Sequence, residues 1–211
     1  MGSKYFRYYF LKICLILIIV FLFEIWIPGF ADMFILTKSA QNGEYWRYLT
    51  AIFLHLNLLH LLFNLLGLFF FGWALEKLIG SNRFLVIFLS SGIIANLISV
   101  NFYEGSLGAS GAIYGVIGCL TILRPLMFTF AFGLILPVFI AVTIWIIGDI
   151  IGTIYGSNGI GNIAHLSGIG VGIFSGILFR ILMKNELKRI KKKKFYFPET
   201  LIRKWEEKYI K

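Results

Sequence analysis

Six apolar stretches, each close to the length of a membrane span, run through this chain and leave little room for another architecture. They lie roughly at Tyr8 to Pro28, Tyr48 to Leu75, Phe84 to Tyr103, Ser110 to Leu123, Leu126 to Ile151 and Gly161 to Met183. About twenty predominantly apolar residues cross the hydrocarbon core as an α-helix. Lipid offers backbone amides no partner, so stretches of this kind must bond internally. Composition agrees: 59% of the 211 residues are hydrophobic and 14% are charged, against about 25% charged in a soluble domain. The expectation is an all-α membrane protein, a polytopic bundle of six transmembrane helices over residues 1–185, followed by a basic tail, 186–211.

The net charge of +10 raises the question of nucleic acid, but twelve of the twenty Lys and Arg lie between Arg180 and Lys211, after the last apolar stretch. A basic segment beside a span marks the cytoplasmic side and suits contact with anionic lipid headgroups, not nucleic acid. With the N-terminus inside, eighteen Lys and Arg fall on the inner side and two, Lys38 and Arg47, on the outer. That asymmetry places both termini in the cytoplasm, most simply at the cell membrane, and turns the start of the fourth span outward. The apolar N-terminal stretch leads into Glu24-Ile25-Trp26-Ile27-Pro28, not into a small-residue cleavage site, so it reads as a retained span. Cys14 and Cys119 sit singly inside apolar stretches, with no spacing for a disulfide frame or a thiolate metal site.

The fourth span is short, about fourteen residues, and begins at Ser110 within Gly108-Ala109-Ser110-Gly111-Ala112. Its N-terminus must then be sheltered by protein or water. A serine hydroxyl is a poor nucleophile until a base lies within hydrogen-bond reach, and His165 is the candidate base. Gly111, Gly115 and Gly118 on one span and Ala164, Gly168, Gly172 and Gly176 on the other form small-residue faces that let two membrane helices touch backbone to backbone. Ser110 and His165 each sit beside the outer end of such a face. Attack on a carbonyl develops an oxyanion that needs donors already in place. The free first amides of the fourth helix, that of Ser110 included, supply some. His60 and Asn64, four residues apart and hence on one helical face, supply others. Tyr114, one turn below Ser110, can stack on His165. No acidic third member is evident: Asp32 and Asp149 are both distant from this cluster in sequence, so a Ser-His dyad is the simplest proposal. All three histidines, His55, His60 and His165, fall inside predicted spans, where polar groups are expensive and functional by default. No His-Glu-x-x-His pattern is present, which argues against a zinc protease of that kind.

These residues resemble the rhomboid family of intramembrane serine proteases. The resemblance rests on an ordered set: Trp46-Arg47, His55-x4-His60-x3-Asn64, Gly72-x3-Glu76-x3-Gly80-Ser81, Gly108-x-Ser110-Gly111-x2-Tyr114 and Ala164-His165-x2-Gly168-x3-Gly172. It implies a six-span bundle, Ser110 as nucleophile, His165 as base, and His60, Asn64 and the Ser110 amide as the oxyanion pocket. It implies a structural His55 tying the first outer loop to the core, Trp46-Arg47 seating that loop in the outer leaflet, and Glu76 bonding to inner-side loops. Phe63 would lie near the route by which substrate arrives. The implied activity is endoproteolysis of transmembrane segments of other membrane proteins near their outer ends, through an acyl-enzyme and without cofactor. Two other classes stay open at this point: a silent binder of membrane helices, and a small transporter lined by His60 and Asn64.

Overall fold

The computed structural model of the protein describes residues 6–156, 161–182 and 184. The chain divides into two compact units, Met1–Leu178 and Phe179–Lys211. Apart from residues 179–182, everything below belongs to the first, and the basic tail expected over 186–211 lies outside the described residues.

Helix α1 spans Tyr9–Trp26 and leads through Gly29 into a short α2, Phe30–Phe34. A folded loop follows, with a 3-10 turn at Lys38–Asn42, α3 at Arg47–Thr50 and a second 3-10 turn at Ala51–Phe53. The second membrane-length helix is composite: α4, Leu58–Gly67, a π-helical stretch Leu68–Gly72, and α5, Trp73–Ile79. Then come α6, Ser81–Ser99, and α7, Ser110–Leu123. A two-stranded hairpin, β1 Phe128–Ala131 and β2 Leu134–Pro137, precedes α8, Val138–Tyr155, and α9, Asn162–Leu182. Five of these helical stretches are long and apolar enough to cross a membrane: Tyr9–Trp26, Leu58–Ile79, Ser81–Ser99, Val138–Tyr155 and Asn162–Leu182; α7 is the shorter sixth.

Three expectations need correction. The second span starts at Leu58, not Tyr48, because the Asn57 side chain accepts the His60 amide at 2.8 Å and opens the helix there. Short polar residues favour this position because they satisfy a free amide of the first turn. His55 therefore precedes the helix and is not inside a span. The fifth span starts at Val138, not Leu126, because Phe132 and Gly133 both take positive φ, 55° and 78°. That pair of conformations makes a tight two-residue hairpin turn. The third span begins and ends a few residues earlier than expected, at Ser81 and Ser99.

α7 is the centre of the bundle. Ten of its fourteen residues are buried. At about 1.5 Å per residue it is only about 21 Å long, and its neighbours cover it. It ends at Arg124, which leaves the helical region at φ −141° and ψ 60° ahead of Pro125, whose ring disfavours the α conformation in the residue before it. Against α6, a Cβ on Gly92 would lie 3.0 Å from the Ala112 Cβ, and one on Gly111 2.9 Å from the Ala95 Cβ. Against α9 the contact is backbone to backbone. A Cβ on Gly118 would stand 2.7 Å from the Ile169 carbonyl oxygen, and one on Gly176 3.0 Å from that of Cys119. At Gly168 and Gly172 it would run into the carbonyl oxygens of Gly111 and Gly115.

Glu76 joins three helices at the other end of the bundle. It has no exposed surface. Its carboxylate accepts the amides of Tyr9 and Phe10 at 2.9 Å each and the Ser81 hydroxyl at 2.6 Å. The first two are free first-turn amides of α1, where a negative group also complements the helix dipole. Ser81 in turn accepts the Arg7 amide at 2.8 Å. Glu76→Gln keeps one acceptor oxygen but turns an NH2 toward a donor, so at least one of the three bonds is lost. The expected cost is about 2 kcal/mol or more, read as a fall of about 5 °C or more in the thermal midpoint of the protein in detergent. An unchanged midpoint would remove the capping role.

Candidate active site

The serine is placed by the turn before it. Gly108 has φ 122°, a region L-residues rarely adopt, and donates its amide to the Ala51 carbonyl at 2.9 Å. A Cβ on it would lie 2.7 Å from Cε1 of His60, so the imidazole rests directly on the glycine. Ser110 follows as the first residue of α7.

His165 lies in the first turn of α9, opposite. Its Nε2 and the Ser110 Oγ are 2.9 Å apart in hydrogen-bond contact. The Tyr114 ring stacks on the imidazole at 4.1 Å between centroids with 15° between planes. Trp145 of α8 lies 6.2 Å from Tyr114. It also meets Phe71 at 6.1 Å, and Phe132 at the hairpin tip at 5.8 Å. The other imidazole nitrogen, Nδ1, is 3.1 Å from Oδ1 of Asp149, a 7%-exposed residue of α8.

His60 and Asn64 occupy one face of α4. The buried Asn64 amide donates to the His60 carbonyl at 2.8 Å, and Gly67 continues the face, a Cβ there standing 3.2 Å from Ile113 of α7. Phe63, beside Asn64, is 65% exposed on the outer surface of the same helix. His55 donates its backbone amide to the Glu24 carboxylate of α1 at 3.1 Å, and its Nδ1 lies 3.3 Å from the Phe53 carbonyl. Its ring meets that of His60 edge to face at 5.2 Å. His55 thus links α1, the loop and the His60 ring.

The loop between α2 and α4 has its own small core, Leu36, Ala40, Ala51 and Val100 with Tyr48 against them. Arg47 organises it. Its guanidinium donates to the carbonyls of Asp32 at 2.8 Å and Ile35 at 2.7 Å and pairs with Glu44. The Ser39 hydroxyl, first, and then Arg47 hold the Glu44 carboxyl below its ordinary pKa by bonding to its charged form. The half-exposed Trp46 ring donates to the Met33 carbonyl at 3.4 Å. Because Ala51 accepts the Gly108 amide, this loop also braces the turn that carries the serine.

The Rhomboid domain family model matches residues 42–181. The chain belongs to the rhomboid family. This rhomboid is 31% identical over 169 residues to rhomboid protease GlpG of Haemophilus influenzae, a match covering 75% of the chain and 85% of that protein. It is 49% identical over 80 residues to rhomboid protease GluP of Bacillus subtilis, covering 37% of the chain and 16% of GluP. It is 38% identical over 85 residues to the mitochondrial RHOMBOID-like protein 6 of Arabidopsis thaliana, covering 39% of the chain and 28% of that protein. The match thus spans only a minor part of these last two relatives. Family and apolar helices together make this rhomboid an integral, multi-pass membrane protein.

The bundle brings Ser110, His165, Tyr114, Gly108 and His60 together, with Asn64 one turn along α4. It keeps Glu76 at the far end, and Trp46 and Arg47 in the loop. Glu24 was given no role from the sequence, and Asp149, set aside there as distant from the cluster, lies beside His165. Each is the one acidic residue of its apolar stretch, and an ionisable group in a span is a functional signal on that ground alone.

Proposed function

We propose that this rhomboid is an intramembrane serine endopeptidase that cleaves transmembrane segments of other membrane proteins, with Ser110 as nucleophile and His165 as general base. The 2.9 Å contact between the Ser110 Oγ and the His165 Nε2 carries the reading. His165 takes the hydroxyl proton as the oxygen attacks the scissile carbonyl, then returns it to the leaving amine. The developing oxyanion is met by the amide of Ser110 and that of Gly111, which have no acceptor within their own helix. His60 and Asn64 add side-chain donors. Water then hydrolyses the acyl-enzyme. Helical backbone hides its carbonyls, so substrate segments with weak helix formers near the cut are favoured.

The distribution of Lys and Arg supports cytoplasmic termini, a basic tail against anionic lipid, and a site that opens to the outside at the cell membrane. Phe63, exposed beside Asn64, suits a place on the path of an arriving helix, and Trp46 suits an anchor of its loop in the outer leaflet. The deciding experiment is fluorophosphonate labelling of the purified protein. The folded wild type is expected to label, while His165→Ala labels at least about 10²-fold more slowly. A folded wild type that does not label would replace this reading with a silent binder of membrane helices.

A further inference from the structure

We propose that Asp149 is a positioning residue for His165: its carboxylate holds the imidazole through Nδ1 so that Nε2 meets Ser110 as the acceptor, which adds a third, orienting member to the Ser110–His165 pair. The inference rests on the Ser110–His165 reading above and extends it.

The geometry fixes the ring at three points. Asp149 Oδ1 is 3.1 Å from Nδ1, Ser110 Oγ is 2.9 Å from Nε2, and Tyr114 covers one face at 4.1 Å. A carboxylate offers only lone pairs, so the hydrogen between Asp149 and His165 belongs to Nδ1. In a neutral imidazole the lone pair is then on Nε2, the nitrogen facing the serine. Without an acceptor at Nδ1 the opposite tautomer is available, and it presents an N–H to Ser110 and cannot take its proton.

The way Asp149 is partnered also separates it from a merely structural acid. Glu76, equally buried, is saturated by three donors. Asp149 has His165, and its other oxygen, Oδ2, is buried without a hydrogen-bond partner among the described residues. Asp149 points inward from a helix whose neighbours Ile147, Ile150 and Ile151 are exposed. An acid in an apolar span with so few donors is costly in the resting enzyme. It is best compensated when Nε2 has taken the Ser110 proton and the ring is an imidazolium, Nδ1 keeping its own hydrogen throughout. An interaction that strengthens in this way as the reaction proceeds lowers the barrier rather than only tightening binding.

The test compares Asp149→Asn, Asp149→Glu, Ser110→Ala and His165→Ala in the full chain, reconstituted with a membrane-spanning substrate. Asn keeps the volume but can turn its NH2 toward Nδ1. The expected result for Asp149→Asn is a fall in kcat of about 10²-fold to 10⁴-fold, with KM within about threefold and the thermal midpoint unchanged, and with Asp149→Glu recovering at least about tenfold of the loss. A kcat within about threefold of wild type, or a loss that tracks a matching fall in midpoint, overturns the proposal. If Ser110→Ala and His165→Ala are inactive while Asp149→Asn is not, only the Asp149 role fails. If Ser110→Ala is active, the underlying reading fails with it. Should the variants not fold, nitrogen-15 histidine spectra of the wild type decide: with three histidines in the chain, His165 is expected to carry its proton on Nδ1, and a proton on Nε2 instead overturns the proposal.

Discussion

Ser110→Ala is expected to reduce cleavage of a labelled membrane-spanning substrate by a factor on the order of 10⁴ or more in kcat, with the thermal midpoint unchanged. Alanine leaves the helix start, the Gly108 turn and the α7–α9 contact intact and removes one oxygen, whose bond is to the His165 Nε2. His165→Ala is expected to cost a comparable factor, and the double variant little more than either alone. Groups that act as one unit lose their joint contribution when any member is removed, and residual turnover then comes from the oxyanion donors and binding. Single-turnover kinetics would check this. Additive losses, or full activity in either single variant, would break the assignment.

Gly168→Val is expected to be nearly as damaging to activity, by a route that leaves every reacting atom in place. The added Cβ would meet the carbonyl oxygen of Gly111, and its carbon at 2.9 Å. Both belong to the backbone of a helix packed on several sides, so neither has a rotamer to move into. The helices must separate, at a cost of about 1–3 kcal/mol or more. His165 is less than one turn from this contact and Gly111 is next to Ser110. A displacement of about 1 Å at reacting groups costs on the order of 10²-fold in rate. Gly170→Val on the same helix is the control, since among the described residues nothing lies within 4 Å of its would-be Cβ. It is expected to leave activity and midpoint near wild type. Equal effects of the two substitutions would mean that helix propensity, not the close approach, decides the outcome.

The glycine faces were legible because close approach of two membrane helices needs small residues at regular spacing, and Gly111, Gly115, Gly168 and Gly172 stand in that register. The start of α7 was legible for a similar reason: glycines flank Ser110, and Arg124-Pro125 sets the far end. The hairpin was not. Phe128, Phe130, Leu134 and Ile135 are exposed and apolar, so the two faces of the strands do not differ in polarity and a strand cannot be told from a span by period. The stretch from Tyr48 to Leu56 misled in the same way. It is rich in Leu and Ile, yet these serve a folded loop whose bends come from Arg47 and the Asn57 cap. Asp149 escaped for a different reason. It is sixteen residues from His165 in the chain, and only the antiparallel return of α9 along α8 joins them. Gly152 and Asn162, which meet in the same two helices, carry no sign of that pairing in their order.

The Glu76 clasp bears on how the protein is made. The amides it caps belong to Tyr9 and Phe10, 67 and 66 positions earlier in the chain. At a synthesis rate of about 5–20 residues per second, the opening of α1 waits roughly 3–13 seconds for its acceptor to leave the ribosome. Until then water, lipid headgroups or the insertion machinery must satisfy those amides. α1 is therefore locked only once the second helix has been made, and its near end stays at the bilayer surface until Glu76 and Ser81 have arrived.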